Sequence, residues 1–443
     1  MMPPLDDSAT IPTVAGPGDD PLDVFRHADL PGWALVHRTL DPTEIADVDA
    51  AVESALSDVV PAIQPGMRVA IAAGSRGIDR IDEVVRATVR VLRTAGAQVF
   101  VIPAMGSHGG ASTEGQVEVL ASLGITAERI GCEIRASMDT IHLGDVADNV
   151  PVFIDRIAMQ EADAIIPVNR VKPHTDFSGP IESGLLKMIA IGLGKQKGAD
   201  TFHGRGFDVF AELIPKVAAF TLAHAPIPCG LALVENGYAR LRRIEAIPAD
   251  AMDGRERELR DEADQFLARL PFDRLDVLVI DRIGKDISGL GMDSNVVGRY
   301  YSGPTGRGPS IQRIFVRDLT DETEGNAVGI GMADIVHRRA VERMDPAPTY
   351  MNCVTAKTPE GARIALTVDS DRRGLDLAVA CCLRVDPARA RIARIRDTKH
   401  LEWFLASEPL IADLRSRPDC EIYAEPGAIR FDPWGNFLDQ LAD

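Results

Sequence analysis

The chain has 443 residues, of which 45% are hydrophobic and 26% are charged, and its formal net charge is −18 at neutral pH. This composition is ordinary for a soluble globular protein, and the acidic balance argues against a nucleic-acid binder, which needs a basic surface. The length predicts two domains, and no apolar run approaches the ~20 residues needed to span a bilayer.

The six cysteines are scattered and form no CxxC pair, which is typical of a reduced cytoplasmic protein. The first 20 residues are acidic, rich in Pro and Gly, and without the basic flank and apolar stretch of a signal peptide. We therefore expect a cytoplasmic protein with a mobile tail over residues 1–30.

Beyond the tail the hydrophobic pattern alternates between two periods. The order is helix 42–60, strand 68–74, helix 81–96, strand 98–104, helix 112–124, and a strand, helical turn and strand over 151–169. Such alternation predicts an α/β fold with a doubly wound, mostly parallel sheet, which binds ligands at the carboxyl ends of its strands.

A second alternation follows near residue 275. Strands are predicted at 230–236 and 238–248, and a charged helix at 249–270. LDVLVID (275–281) then leads through RIFVRDL, NAVGIG, the helix ADIVHRRAVERM and ARIALTV. The chain is therefore expected to form an N-terminal α/β domain over 31–268 and a smaller C-terminal α/β domain over 269–443.

Two glycine-rich turns, AAGSRG and AMGSHGG, follow predicted strands and should lie at the ligand-binding edge. Their backbone N–H groups, at Ser75, Gly109 and Gly110, suit a phosphate. Arg76 can hold a carboxylate, and His108 can move protons near neutral pH. For either turn alone, an ordinary strand-helix connection is the alternative interpretation.

The segment from His174 to His203 is the most informative part of the chain. It places Lys187 inside an apolar run, where a buried ammonium must find a partner, lose its proton or form a covalent bond. The flanking histidines offer a proton carrier and a metal ligand.

Two further glycine-rich stretches are weaker candidates. GLGKQKG (192–198) fits neither the dinucleotide fingerprint nor the Walker motif, so a phosphate loop is disfavoured. RIGKDISGLGMDSN follows a predicted strand and carries Lys285, which favours function over a turn rich in Asx contacts.

VNRVKPHTDFSGPIESGLLKMIAIGLGKQKGADTFH, with GSRG and GSHGG upstream, resembles the nickel-dependent lactate racemase superfamily. Its members are racemases and epimerases of 2-hydroxy acids. They use the nickel-pincer nucleotide, a pyridinium mononucleotide joined to an enzyme lysine through a thioamide. The resemblance implies two domains with the active site in the cleft between them, a small 2-hydroxy-acid substrate and a dependence on cofactor-synthesis enzymes.

The resemblance also implies roles for the matching residues. His203 would complete the coordination of nickel, and His108 and His174 would be the paired acid and base. The remaining site residues would be Lys187, Ser75, Gly109 and Gly110 toward the cofactor and Arg76 and Lys285 toward the substrate.

This sequence departs from the lactate racemases in three places, which leaves lactate itself open as the substrate. Lactate racemases carry an acidic residue shortly before the arginine, whereas here Ala72 to Ser75 precede Arg76. The stretch from His174 to Lys187 is also longer than theirs, and Leu186 stands where they have an arginine. The alternatives are a dehydrogenase with a dissociable nicotinamide, for which the fingerprint is missing, and a non-catalytic binding homologue.

Overall fold

The computed structural model describes residues 21–26, 29–75, 77–146, 149–301 and 307–441. Arg76 and residues 1–20 of the expected mobile tail lie outside the described residues. Pro21–Phe25 form a 3-10 turn, and Asp23 pairs with Arg373 at 3.1 Å. In the part of the chain that the structure describes, no helix is both long and apolar enough to cross a membrane.

The strands are β1 Trp33–Arg38, β2 Arg68–Ala73, β3 Gln98–Pro103, β4 Glu133–Ile134, β5 Thr140–Val146, β6 Val150–Asp155, β7 Ala164–Arg170, β8 Cys229–Glu235, β9 Leu241–Pro248, β10 Arg274–Ile283, β11 Ser310–Leu319, β12 Ile335–His337, β13 Leu366–Val368, β14 Ile392–Ile395, β15 Trp403–Ser407 and β16 Cys420–Ile422. The helices are α1 Val48–Leu56, α2 Ile81–Thr94, α3 Thr113–Ser122, α4 Ala127–Ile130, α5 Arg156–Glu161, α6 Leu185–Lys187, α7 Lys195–His203, α8 Phe210–His224, α9 Met252–Phe266, α10 Ser294–Val297, α11 Arg338–Glu342, α12 Pro346–Ala356, α13 Asp371–Ala380 and α14 Glu408–Arg415.

The first sheet has the order β4-β3-β2-β7-β8-β9 and is parallel except for the β8–β9 pair. Alternate residues of its strands face opposite sides: Ala70 and Ala72 pack with α6 to α9, whereas Val69 and Ile71 pack with α1 and α2. Burial on both faces explains the continuous apolar runs of these strands. This confirms the predicted doubly wound α/β architecture.

The second sheet has the order β13-β12-β11-β10-β14-β15-β1-β16 and is parallel from β13 to β14. Its other edge is antiparallel and contains β1, between β15 and β16. Residues 33–38, which the sequence assigned to the N-terminal domain, thus pair in this sheet, where Trp33, Ala34 and Val36 become buried. The remaining domain boundaries stay a prediction.

We call the part built on the first sheet the first half and the part built on the second sheet the second half. In each sheet the connections diverge from one pair of neighbouring strands, β2 and β7 in the first and β10 and β14 in the second. Loops from these two switch points meet: Lys172 Nζ, after β7, lies 3.4 Å from Asp293 Oδ2, after β10. The ligand-binding edges of the two sheets therefore face each other.

The predicted elements of the first half are confirmed apart from their ends, but two neighbouring assignments in the second half are wrong. NAVGIG, which the alternation would make a strand, is a turn followed by a 3-10 turn at Ile330–Met332. Gly329 there has a φ of 97°, and an ideal Cβ on it would lie 1.8 Å from the carbonyl oxygen of Leu290. The strand is instead β12, inside the predicted helix ADIVHRRAVERM, because Ile335 and Val336 are buried between β11 and β13.

A fully buried ion pair joins α7 to β6 in the first half. Lys195 Nζ lies 2.8 Å from Asp155 Oδ2, and both side chains are 0% exposed. Burial lowers the pKa of Lys195, and the charge of Asp155 opposes that shift. The amine is also 3.3 Å from Gln116 Oε1 on α3. Lys195 of GLGKQKG therefore forms its contacts inside the core, which disfavours a phosphate loop there.

Replacing Lys195 with Met should destabilise the fold by roughly 3–5 kcal/mol, because it leaves the Asp155 carboxylate buried without a counter-charge. The double variant K195M/D155N should lose less, since Asn keeps the acceptor that caps α5 at Ala158 N. Urea unfolding of the three proteins measures the difference. Equal losses in the single and double variants would contradict this interpretation.

Candidate active site

Three loops gather at the switch point of the first sheet. They follow β2, β3 and β7, and carry Ser75, His108 and His174 respectively. The helical segment that carries Lys187 packs beneath them. An ideal Cβ on Gly74 would lie 3.0 Å from Met188 Cε, and Gly106 N donates to the carbonyl oxygen of Gly192 at 3.2 Å.

His108 is held by the first of these loops. Its Nδ1 lies 2.7 Å from Ser75 Oγ, while Gln116 Nε2 donates to its carbonyl oxygen at 3.3 Å. Gly109 has a φ of 67°, and an ideal Cβ on it would lie 2.5 Å from the carbonyl carbon of Gly115. That glycine is therefore required by the backbone, whatever else it binds.

His174 and Lys187 are in direct contact through Nε2 and Nζ. The backbone N–H of Asp176 donates to His174 Nδ1 at 3.0 Å, so a neutral ring carries its own proton on Nε2. That N–H then faces Nζ, which can accept it only as an unprotonated amine. The hydrogen-bond pattern favours a nucleophilic lysine at this position.

Lys187 ends the short helix α6, which continues into a π-helical turn at Met188–Gly192. Glu256 on α9 caps this helix, since its Oε2 accepts the backbone N–H of Leu186 at 3.0 Å. An ideal Cβ on Gly184 would lie 2.4 Å from Glu256 Oε1, so a larger residue there would displace the Glu256 carboxylate. Burial raises the pKa of Glu256 to about 7.

His203, at the end of α7, is linked to His174 and Lys187 by a cluster of aromatic rings. Phe177 packs against His174 in a tilted arrangement with 4.4 Å between ring centroids, and its ring centroid lies 5.5 Å from Lys187 Nζ. Phe210 contacts both Phe177, at 5.4 Å, and His203, at 5.5 Å. The contact between Phe177 and Phe210 therefore links the surroundings of Lys187 to those of His203.

The imidazole of His203 is suited to bind a metal. Its Nδ1 is buried and has no hydrogen-bond partner among the described residues. Burial lowers the pKa of His203 to about 4, so the ring is neutral near pH 7. Within the described ranges no group of three or more His, Cys, Asp or Glu side chains could hold a metal ion.

The second half contributes basic groups. The charge of Lys357, at the end of α12, also lowers the pKa of His203. Lys285 Nζ donates to Asn352 Oδ1 at 2.6 Å and to the carbonyl oxygen of Gly289 at 2.9 Å. Lys285 is thus anchored to α12, the helix whose end lies near His203.

The structure brings together the residues of the His174–His203 segment, and separately pairs Ser75 with His108. Arg76, which was predicted to bind the substrate, lies outside the described residues. The substrate-binding role of Lys285 stays a prediction. Sequence reasoning missed Glu182, a carboxylate in an otherwise mostly apolar stretch, which could have indicated a buried ion pair. Its partner Arg307 lies 125 residues away and carries no local signal.

No model of a known protein family matches the chain, and no curated protein matches it in sequence. Among solved structures, the lactate racemase apoprotein from Thermoanaerobacterium thermosaccharolyticum is similar, with a TM-score of 0.51 and 12% sequence identity. The match covers 80% of this chain and 92% of that chain. At this identity the likeness shows the fold alone, so the chain has a lactate racemase-like, two-domain α/β fold.

Lys187 should react with acetic anhydride at pH 7 at least about tenfold faster than Lys197, an exposed lysine of the same segment. An ordinary lysine amine is only about one part in 10³ unprotonated at that pH. Replacing His174 with Phe should remove the advantage. Peptide mass spectrometry after brief labelling measures both rates, and equal rates in the unmodified protein would contradict the proposed proton arrangement.

Replacing Glu256 with Gln should remove a pH dependence of stability. The pKa is about 7 in the folded chain and 4.5 in the unfolded one, so this group's contribution is complete below pH 4.5 and is lost as the pH rises to 7. Relative to E256Q, the native protein should lose about 3 kcal/mol of unfolding free energy over that window.

Urea unfolding at pH 4.5, 6 and 8 measures this difference. The matched control is E258Q, on the exposed face of the same helix, which should follow the native protein at each pH. A constant difference between E256Q and the native protein would contradict the prediction.

Proposed function

We propose that the chain is an isomerase that inverts C2 of a 2-hydroxy acid, with a nickel-pincer nucleotide tethered to Lys187. The observation that carries the proposal is the convergence of Lys187, His174 and His203 around one phenyl pair. They converge at the switch point of a fold that is similar to a lactate racemase.

The residues present fit such a cofactor. A thioamide forms from an unprotonated amine, which is the state that the contact with His174 favours for Lys187. A neutral imidazole with an unpartnered nitrogen suits nickel(II), and His203 offers one. Ser75, Gly109 and Gly110 would lie toward the cofactor phosphate. When bound, the cofactor would supply a cationic ring that accepts hydride from C2.

The acid-base work would fall to the two histidines. His108 and His174 follow different strands, so each would serve one enantiomer at the C2 hydroxyl. For His174 to take the hydroxyl proton, its own proton would move from Nε2 to Nδ1, which lies 3.7 Å from Asp176 Oδ2. Ser75 orients the His108 ring through Nδ1. Arg76 and Lys285 would hold the carboxylate while the flat 2-keto acid turns. The enzyme would act in the cytoplasm and depend on cofactor-synthesis enzymes.

The test is production of the protein together with the cofactor-synthesis enzymes, followed by intact mass, nickel content and turnover. A covalent adduct should appear on the native protein and on K197A, but not on K187A. Enantiopure 2-hydroxy acids incubated in D₂O should interconvert without gaining deuterium at C2, because hydride returns to the carbon that released it. Chiral chromatography with mass detection measures both.

A bare-chain mass under these conditions would overturn the proposal. Reduction of added NAD by a 2-hydroxy acid with no adduct would instead support a dehydrogenase. An adduct with solvent deuterium at C2 would contradict the hydride route and favour proton abstraction.

A further inference from the structure

The peptide groups of His174 are held on both sides. Its N–H donates to Glu182 Oε2 at 2.6 Å, and its carbonyl oxygen accepts Asn295 Nδ2 at 3.1 Å. Both partners are buried, at 1% and 0% exposed. Glu182 belongs to the same segment as His174, whereas Asn295 lies on α10 of the second half.

Glu182 is itself tied to the second half by Arg307. The two terminal nitrogens of Arg307 donate to the two carboxylate oxygens at 2.9 and 2.7 Å, a bidentate pair. A first-half guanidinium, Arg260 on α9, lies 3.7 Å from the same carboxylate, beyond hydrogen-bond distance. The guanidinium that hydrogen-bonds to Glu182 therefore belongs to the second half.

Tyr300 connects these two anchors. Its hydroxyl lies 3.2 Å from Asn295 Oδ1 and 3.1 Å from the carbonyl oxygen of Arg307, and can donate to either. With Oδ1 facing Tyr300, the amide group of Asn295 has its Nδ2 toward His174. We call Glu182, Asn295, Tyr300 and Arg307 the cross-half clamp.

We infer that Asn295 and Arg307 are positioning residues through which the second half sets the placement of His174. The clamp restrains the peptide on both sides of the residue, and the ring contacts to Asp176 N and Lys187 Nζ depend on that backbone. If the halves separated, the carbonyl oxygen of His174 would lose its donor, and Glu182 would lose both hydrogen bonds to Arg307 and keep only the more distant charge of Arg260. The proton arrangement at Lys187 therefore forms only when the halves are joined.

The effect of the clamp on activity rests on the proposed function of His174. The effect of the clamp on the position of the His174 backbone does not. Hydrogen exchange of the apoprotein, resolved to the amides of residues 172–184, tests the placement without any substrate. The His174 amide should exchange at least about tenfold faster in N295A and R307M than in the native protein. R260M is the matched control, because it removes a guanidinium near the same carboxylate from the first half, and it should leave the exchange unchanged.

R307K and N295A separate positioning from a general loss of stability. R307K keeps the charge but not the two parallel N–H groups, so it should restore only part of the protection. N295A creates no unpaired charge, so it remains informative if R307M folds poorly. Unchanged exchange of the His174 amide in N295A, or an equal increase in R260M and R307M, would overturn the inference.

In the cofactor-loaded enzyme, N295A should lower kcat by at least about tenfold while KM changes less than about twofold. The His174 amide could exchange faster in N295A and R307M while no protein, the native one included, shows racemase activity. That result would support the positioning inference and refute only the proposed function. Faster exchange with native kcat would contradict a positioning role.

Discussion

A buried carboxylate needs a cation, and for Glu182 the hydrogen-bonding cation comes from the other half of the molecule. Without Arg307, Glu182 would keep only the guanidinium of Arg260 at 3.7 Å and would lose two charge-assisted hydrogen bonds, so the Glu182–Arg307 pair favours one arrangement of the two halves. The same carboxylate accepts the N–H of His174. One ion pair thus links the assembly of the two sheets to the geometry of the ring that contacts Lys187.

Two lysines of one segment meet the cost of burial in different ways. Lys195 keeps its charge beside Asp155, in a core that also holds the His108 loop through Gln116. Lys187 instead faces an imidazole whose other nitrogen is already occupied by a backbone donor. The first arrangement gives a rigid support, and the second favours an unprotonated amine, whose lone pair accepts the N–H of His174.

Local sequence patterns predicted the features of the fold and site that depend only on short stretches of the chain. The strands β2 and β3 and the loops after them follow from apolar runs that end in glycine, and Lys187 is conspicuous because Leu186 and Met188 beside it are buried. The clamp could not be predicted in this way, because Asn295 contacts His174, and Arg307 contacts Glu182, across more than 100 residues of sequence. The error at NAVGIG has a related cause, since Gly329 is needed by the carbonyl oxygen of a distant residue, Leu290.

The position of β1 between β15 and β16 means that both ends of the chain build the second half. Ribosomal synthesis therefore delivers the central piece of its antiparallel edge first and the strands on either side of it last. A fragment starting at residue 274 would lack that piece and leave β15 and β16 with unpaired backbone groups, which invite intermolecular pairing. Dissecting this protein into separately produced parts requires carrying residues 33–38 along with the C-terminal part.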